Sequence, residues 1–247
     1  MNMVASNAKL NKRELVLDRL GRDIAAGVFA VGEKIPPEPE LELRFEASRS
    51  VIREAIKGLV AKGMISVGPR LGTRVNPMQE WGLLDRDVLQ WLLTSPNADK
   101  NLYFAIDEVR AMIEPTSAML AAQRATPAQV AEIRKAFTRM QQAAVDMDVD
   151  AAVQSDRDFH IAVLKATQNP VLQAFDNAVG AILGVLFVTT HMEHFTANLG
   201  RHGEVLEAIA NKQPFEAAQA MTRVIGFTTE LLQQNQIIGN KGLGGEL

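Results

Sequence analysis

The sequence predicts a mostly α-helical protein in two parts: a small N-terminal part of three helices and a β-hairpin, then a larger all-α antiparallel bundle of about seven helices. Three observations predict this fold class. Residues 12–63 repeat apolar side chains at helical spacing. Residues 64–75 contain two short strand-like segments around a glycine-flanked turn. Beyond Pro77 only helical patterns recur.

The composition is that of a chain able to bury a substantial core. Of its 247 residues, 47% are hydrophobic and 22% are charged, which suits one large domain or two of ordinary size. The longest run without a strongly polar residue, 178–188, is well short of the roughly 20 residues that a membrane-spanning helix needs. The first residues show no export signal, so we expect a cytoplasmic protein with no membrane contact. The chain has no cysteine, which leaves any metal site to histidine, carboxylate and water.

Charge is divided unevenly along the chain. Residues 1–77 carry 13 Lys and Arg against 9 Asp and Glu, a net charge of +4, whereas the rest of the chain carries −7. A basic first third joined to an acidic body suits a DNA-contacting part joined to a non-contacting part, because local positive charge sets the affinity for phosphate.

The first two helices are predicted by apolar spacing and by their end signals. The first extends over residues 12–26 and is closed by Gly27. The second extends over residues 38–46 and follows the extended pair Pro36-Pro37. The apolar positions that they bury are Leu17, Leu20 and Ile24 in the first helix and Leu41 and Phe45 in the second.

The third helix has the clearest pattern, with Ser48 as its N-cap and Gly63 as its stop. Its apolar stripe consists of Ile52, Ala55, Ile56, Leu59 and Val60. Its opposite face carries Arg49, Ser50, Arg53 and Lys57. Basic charge at the start of a helix opposes the helix dipole, so internal stability does not account for this face. An ordinary solvated basic face is the alternative to a DNA-binding one.

A hairpin follows this helix. Residues 64–67 and 73–75 form its two short strands, and the turn between them has glycine at both ends. Three helices, with a short turn between the second and third, followed by a hairpin make a winged helix-turn-helix. In that fold the third helix presents its first residues to the base edges of DNA.

The segment from Gly32, GEKIPPEPELELRFEASRSVIREAIKGLVAKGMI, followed by GTRV, resembles the DNA-binding head of the GntR family of bacterial regulators. The shared pattern is proline-glutamate, then leucine, then serine-arginine and arginine-glutamate-alanine. The resemblance implies DNA contacts at Ser48, Arg49, Ser50, Arg53, Arg70, Gly72 and Thr73. One position departs from the family: Pro39 stands where many members carry a polar or basic side chain near the start of helix two.

Beyond the head, helix-start signals divide the body. Thr126-Pro127, Asn169-Pro170 and Pro214 each open a predicted helix. The domain boundaries that we predict are residues 1–77 for the DNA-binding head, 78–97 for a linker helix, 98–236 for the helical effector-binding domain and 237–247 for a flexible tail. Trp81 and Trp91 in the linker are expected to pack between head and body.

Four polar residues interrupt the apolar stripes of the body. Asp156 and His160 lie one helical turn apart on the buried face of one predicted helix. His202 begins the apolar stripe of another helix, and Arg110 lies between Ile106 and Ile113 on a third. A buried charge costs several kcal/mol unless it is paired or ligated. If these helices are neighbours, the four side chains converge in one interior region.

Each of these residues also has an ordinary interpretation. The Asp156–His160 pair could be a surface ion pair, His202 a capped histidine and Arg110 a snorkelling side chain. Taken together they suit an oxygen and nitrogen site for zinc, nickel or manganese, with open positions for the oxygens of a ligand. His191 and His194 flank Met192 near a helix end and are interpreted as structural or exposed.

The body resembles the FCD ligand-binding domain of the FadR subfamily of GntR regulators. The resemblance rests on EVRAMIEPTSAMLAAQRAT, DRDFHIAV with ATQNPVL, and HGEVLEAI. It implies a divalent metal held by Asp156, His160 and His202, and a carboxylate effector bound beside the metal with help from Arg110. The fourth histidine ligand of the subfamily falls on Val224. The linker NPMQEWGLLDRDVLQW is similar to that of the galactonate-responsive repressors, which implies a sugar-acid effector.

The sequence thus predicts a homodimeric transcriptional regulator, a repressor of a carbohydrate-acid operon that a small carboxylate releases from double-stranded operator DNA. Dimerisation follows from geometry, because one winged helix contacts only a half-site. A fatty-acyl-responsive regulator of the same family is one alternative. A metal-dependent enzyme acting on a small acid is the other, since an Asp and two His with open positions can activate water. We expect no catalytic residues.

Overall fold

The computed structural model of the protein describes residues 11–68, 72–176, 179–180 and 192–241. The chain divides into two compact units, residues 1–99 and residues 100–247. Both agree with the predicted fold class, because the first combines helices with a two-stranded hairpin and the described part of the second is helical.

The first unit is a winged helix-turn-helix with one additional helix. Its elements are α1 (Lys12–Ala25), α2 (Glu38–Phe45), α3 (Arg49–Ala61), β1 (Ile65–Gly68), β2 (Gly72–Val75) and α4 (Arg86–Leu93). The two strands pair antiparallel, with Ile65 opposite Val75 and Gly68 opposite Gly72. An isolated bridge between Lys34 and Arg74 attaches the segment before α2 to the hairpin. The three predicted helices and the hairpin are confirmed to within two residues.

Local sequence accounts for these boundaries. Asn11 caps α1 reciprocally with Glu14, since each side chain accepts a hydrogen bond of 3.0 Å from the backbone N–H of the other residue. Helix α3 buries Ile52, Ala55, Ile56 and Leu59. Val60, which was assigned to the same stripe, is wrong as a core residue, because 42% of it is exposed. It lies at the border of the apolar stripe, where the helix surface turns towards solvent.

The predicted linker helix is interrupted. A 3₁₀ turn covers Met78–Glu80, and α4 begins only after Asp85, whose carboxylate caps it by accepting from the N–H of Asp87 at 2.9 Å. Both tryptophans make their described hydrogen bonds with residues of the first unit. The indole of Trp91 donates to Asp18 of α1 at 2.8 Å, and its ring lies so close to Gly21 that a Cβ there would overlap it. The indole of Trp81 donates to the carbonyl of Asn76 at 2.8 Å.

The second unit is a helical bundle. Its described elements are α5 (Lys100–Arg124), α6 (Pro127–Asp146), α7 (Val149–Ala166), α8 (Pro170–Gln173), α9 (Met192–Ala210) and α10 (Pro214–Lys241). The core lies between these helices and includes Ile133, Met140, Phe159, Leu206 and Met221. Helix α5 packs along α10 and α7, and α9 contacts α5, α6 and α10. This packing brings the inner faces of α5, α7 and α9 together.

The predicted helix starts of the body are confirmed. Thr126 and Gln129 form a capping box at α6, Asn169 accepts from the N–H of Val171 at 3.0 Å at the start of α8, and α10 begins at Pro214. The end of the chain differs from the expectation. Helix α10 continues to Lys241, so residues 237–241 of the predicted tail are helical, while residues 242–247 lie outside the described residues. Among the helices that the structure describes, none is long and apolar enough to span a membrane.

Candidate functional site

The first two turns of α3 present the side chains that were predicted to contact DNA. Ser48, Arg49, Ser50 and Arg53 are all exposed. The hydroxyl of Ser48 lies 3.0 Å from that of Ser50, and among the described residues it makes no capping bond to α3. No side-chain cap therefore occupies the first-turn N–H groups of α3 in the described structure, and such groups are good donors to phosphate.

Glu38, at the start of α2, contacts both arginines of this face. Its Oε2 accepts from Nε of Arg49 at 3.1 Å, and its Oε1 lies 3.5 Å from Nε of Arg53. The sequence interpretation did not identify Glu38. The residue is eleven positions before Arg49 on a different helix, so no helical spacing relates the two.

The described part of the wing places Gly72 at the first position of β2. Gly72 has a φ of +79° and is exposed, which suits a residue without a Cβ. Thr73 is partly buried, and its carbonyl accepts from the N–H of Ile35 at 3.0 Å. Arg70, the third predicted wing residue, lies outside the described residues.

In the second unit, α7 and α9 bring together the three residues that were predicted as metal ligands. Asp156, His160 and His202 each offer one ligand atom, and these atoms all lie within 4.8 Å of one another. Nε2 of His202 is 3.3 Å from Nε2 of His160 and 3.3 Å from Oδ1 of Asp156. All three residues are buried, with 6% or less of each exposed. We call this group the Asp-His-His cluster.

The hydrogen-bond partners of the two imidazoles determine which ring nitrogen carries the proton. Nδ1 of His160 faces a carboxylate oxygen of Glu114, and Nδ1 of His202 lies 3.0 Å from the carbonyl of Asn198. Both partners are acceptors, so in each ring the hydrogen-bond network assigns a proton to Nδ1. The two Nε2 lone pairs then point towards each other and towards Asp156. A cation between these three atoms, whether a metal ion or a proton, relieves their mutual repulsion.

Arg110 lies beside this cluster on α5, connected to it through Glu114. Its Nε donates to Oε1 of Glu114 at 2.6 Å, and its Nη1 lies 3.9 Å from Oδ1 of Asp107. Only 2% of Arg110 is exposed, yet Nη1 has no hydrogen-bond partner among the described residues. A buried guanidinium with an unused N–H is suited to a carboxylate ligand.

Charged side chains surround the imidazoles. Glu114 and Asp156 contact the rings directly, Arg110 is paired with Glu114, and Asp107 lies 3.9 Å from Arg110. Burial by itself raises the pKa of Glu114, but the charges of Arg110 and His160 and their hydrogen bonds lower it to about 2. Burial also raises the pKa of Asp156, and contact with His202 and the neighbouring positive charges brings it below its usual value. Both carboxylates are therefore ionised near neutral pH, where positive charge on the imidazoles or on a bound cation compensates them.

Glu114, Asp107 and Asn198 belong to this site and were missed by the sequence interpretation. Helical spacing was the available signal. Glu114 follows Arg110 by four positions and Asp107 precedes it by three, which puts all three on one face of α5. Asn198 precedes His202 by four positions on α9, and its Oδ1 is buried with no hydrogen-bond partner among the described residues.

The remaining candidates of the body provide no ligand atom to the cluster in the described structure. Val224 is buried on α10, where its carbonyl accepts from Nδ2 of Asn198 at 3.3 Å and its side chain offers no ligand atom. The ring of His194 stacks edge-on against Phe227, with centroids 6.4 Å apart, in agreement with a structural role. His191 lies outside the described residues.

Two family models match the chain. Residues 12–75 match the bacterial regulatory proteins of the gntR family, and residues 105–227 match the FCD domain. The first range contains the exposed start of α3. The second contains Arg110, Glu114 and the Asp-His-His cluster.

Two relatives align with most of this chain. The galactonate operon transcriptional repressor of Escherichia coli strain K12 is 35% identical over 228 residues, which is 91% of this chain and 98% of the relative. The Uxu operon regulator of Haemophilus influenzae is 26% identical over 211 residues, which is 82% of this chain and 74% of the relative.

Solved structures share the fold. The GntR protein of Streptococcus agalactiae superposes with a TM-score of 0.50 at 25% identity, over 87% of this chain and 97% of that one. Lar, which controls the expression of the agr system of Listeria monocytogenes, superposes with a TM-score of 0.65 at 16% identity, over 94% of this chain and 99% of that one. The similarity to Lar is evidence for the fold alone.

Proposed function

The chain belongs to the gntR family of bacterial regulatory proteins, carries an FCD domain and is a DNA-binding transcriptional regulator; from this premise we propose that it is a homodimeric repressor released from its operator by a sugar acid. The gntR family model and the two relatives describe regulators, which favours regulation over the metal-dependent enzyme considered from the sequence.

The DNA-binding part of the proposal rests on the exposed start of α3. Arg49 and Arg53 reach solvent from the first two turns, and Ser48 and Ser50 provide hydroxyls beside them. A single recognition helix of this kind contacts half of an operator. A two-fold symmetric dimer is therefore the simplest assembly that contacts a palindromic site.

The observation that carries the effector proposal is the unused Nη1 of Arg110 next to the Asp-His-His cluster. An acid would give this donor a carboxylate oxygen. The unpaired Oδ1 of Asn198 is an acceptor, which a hydroxyl group of the same acid would satisfy. A polar hydroxy acid meets both needs, whereas a fatty acid offers a carboxylate but no hydroxyl group. The names of the galactonate and Uxu relatives favour the same class of compound.

The donor set fits a divalent metal ion. Two imidazole nitrogens and one carboxylate oxygen suit zinc, nickel or manganese, and donors 3.3 Å apart are spaced as ligands about 2 Å from a shared ion would be. The ion would supply a Lewis-acidic centre with open positions for effector oxygens. Its charge would also compensate the neighbouring carboxylates. Glu114 and Asn198 hold the two rings in the orientation that this role requires.

Release requires that the acid bind one conformation of the repressor more tightly than the other. An acid with equal affinity for the DNA-bound and free conformations would change nothing. Arg110, on α5, is the residue through which we expect the acid to act on the fold, because it is buried and part of a network that joins α5 to α7 and α10.

Calorimetric titration of the purified, manganese-loaded protein tests this proposal. The ligands are galactonate and other sugar acids, with the corresponding neutral sugars and a long-chain fatty acid as controls. We expect heat from a sugar acid only, release of an operator fragment at the same concentrations, and recovery of the acid unchanged. Binding of the fatty acid alone would support the acyl-responsive alternative, and conversion of the acid would support the enzyme.

A further inference from the structure

Resting on the function proposed above, we propose that Glu114 is a positioning residue that couples metal binding to acid binding in the interior site. Glu114 lies on α5 and is 2% exposed. One of its oxygens contacts the candidate metal ligand His160 and the other contacts Arg110. It is the one described side chain that joins the Asp-His-His cluster directly to the arginine.

The first effect of Glu114 is on His160. An ionised carboxylate can only accept a hydrogen bond, so Glu114 requires the proton of the ring to be on Nδ1. Nε2 is then left with its lone pair, 3.3 Å from Nε2 of His202 and available to a metal ion. Without this carboxylate the ring is free to carry its proton on Nε2, where it cannot bind metal.

The second effect is on Arg110. Nε of the guanidinium donates to Glu114, while Nη1 has no hydrogen-bond partner in the described structure. An incoming carboxylate must therefore be bound by the terminal Nη groups. Glu114 thus selects which edge of Arg110 faces the ligand and restricts the approach of the acid.

The two effects are coupled because one carboxylate makes both contacts. A divalent cation held by His160 would add positive charge beside this carboxylate and beside the acid that Arg110 binds. We therefore expect metal binding to strengthen acid binding, and we expect this coupling to depend on Glu114.

The test is Glu114→Gln, which preserves the size of the side chain and its acceptor oxygen for Arg110. The amide N–H₂ then faces Nδ1 of His160 and favours the tautomer with its proton on Nε2. We expect manganese affinity to fall about 10- to 100-fold. We also expect weak galactonate binding that no longer depends on metal. Glu108→Gln, an exposed residue on the same helix, is the matched control and should bind operator, manganese and galactonate as the wild type does.

Nitrogen NMR of histidine-labelled protein gives a readout that depends on neither metal nor acid binding. The chain has only four histidines, so the signals of His160 can be assigned by substitution. We expect an Nδ1–H tautomer in the metal-free wild type and an Nε2–H tautomer in Glu114→Gln. An Nε2–H tautomer in the wild type would overturn the role of Glu114, even if the variant failed to fold.

Failure of the proposed function would give a different set of results from failure of the Glu114 proposal. A wild type with the expected tautomer that bound no sugar acid at any metal concentration would contradict the proposed effector, while the positioning of His160 by Glu114 would stand. Undiminished manganese affinity and metal-dependent acid binding in Glu114→Gln would overturn the coupling, while the proposed effector would stand.

Discussion

At the scale of single residues, a hydrogen bond within α9 orients the ring of His202 so that Nε2 is available to a cation. Its Nδ1–H is used by the carbonyl of Asn198 one turn earlier on α9, and its Nε2 lies among the other ligand atoms. The ring is also packed edge-on against Phe159, with centroids 5.2 Å apart. Because these contacts already fix the ring, metal binding costs little reorganisation.

His202→Gln should therefore remove most of the metal-dependent stability. A ligand present at 100 times its Kd stabilises the folded state by about 2.7 kcal/mol, and the loss of a ligand nitrogen weakens this effect. Thermal unfolding of chelator-treated protein across a manganese or zinc titration measures it. His194→Gln is the matched control, because His194 stacks on Phe227 outside the cluster. A shift in Tm as large as that of the wild type would place the metal elsewhere.

Single site residues were predictable where their polarity differed from that of the neighbouring positions on the same helix face. Asp156, His160 and His202 were found because charged or polar side chains interrupted apolar stripes. Glu114 was missed because it lies near Pro115, within a segment whose polar and apolar positions alternate less clearly. The hydrogen bond that gives Glu114 its importance joins residues 46 positions apart, and no local pattern reports such a contact.

At the scale of elements, α3 carries the face that we expect to contact base edges. Arg53→Ala should lower operator affinity by about 1–3 kcal/mol and relax specificity at one base pair, if its guanidinium binds a base edge. Gel-shift titrations with the operator and with single-base variants measure both effects. Lys57→Ala, one turn further along the same exposed face, is the comparison. If Arg53→Ala bound the operator as the wild type does, the assignment of α3 as the recognition helix would be wrong.

The contact between α2 and α3 leads to a further prediction. Glu38 pairs with Arg49 and Arg53, the arginines that DNA would require, so the free protein holds them oriented but partly neutralised. Glu38→Gln removes a negative charge from the DNA-facing surface. We expect affinity for random DNA to rise several-fold, since each exposed ion pair contributes about 0–1 kcal/mol.

The preference for the operator should fall in the same variant, because the two arginines lose their common anchor. Anisotropy titrations of operator and scrambled duplexes at two salt concentrations measure the ratio of affinities. Glu40→Gln makes the same change of charge on the same helix, at an exposed position. Equal behaviour of the two variants would mean that Glu38 acts through charge alone.

Elements were predictable where periodicity and end signals agreed. The bounds of α1, α2, α3 and both strands follow from apolar spacing, proline and glycine. The linker was not predictable in the same way. Its apolar residues suggested a continuous helix. In the structure Trp81 donates a hydrogen bond to Asn76 and Asp85 caps a new helix, so residues 81–85 are not helical. Tertiary contacts of the tryptophans override the local propensity there.

At the scale of the whole molecule, net positive and net negative charge lie in different parts of the chain. Residues 1–77 carry +4 and the remaining residues carry −7, so DNA is attracted to the N-terminal part and repelled by the rest. An acid must enter a negatively charged body, and a cation in the interior site would offset the resulting repulsion. The charge pattern was visible in the sequence, whereas the case for a cation appeared only when the structure placed Glu114 and Asp156 against the two imidazoles.

The separation of DNA binding from acid response is tested by Arg110→Lys. Alanine is unsuitable, because it would leave Asp107 and Glu114 buried without their cation, and such a loss costs about 3–5 kcal/mol. Lysine keeps the charge but lacks the planar set of donors that serves Glu114 and a ligand at once. We expect operator affinity close to that of the wild type.

The acid concentration for half-release should rise at least about tenfold in Arg110→Lys, because a charge-assisted hydrogen bond contributes about 1.5–3 kcal/mol. Anisotropy of a labelled operator, titrated with galactonate in the presence of manganese, gives both quantities from one sample. Arg139→Lys, in an exposed ion pair with Asp158, is the matched control. Release of Arg110→Lys at the wild-type concentration would show that the acid is recognised without Arg110, since the only change made to the interior site is the shape of its cation.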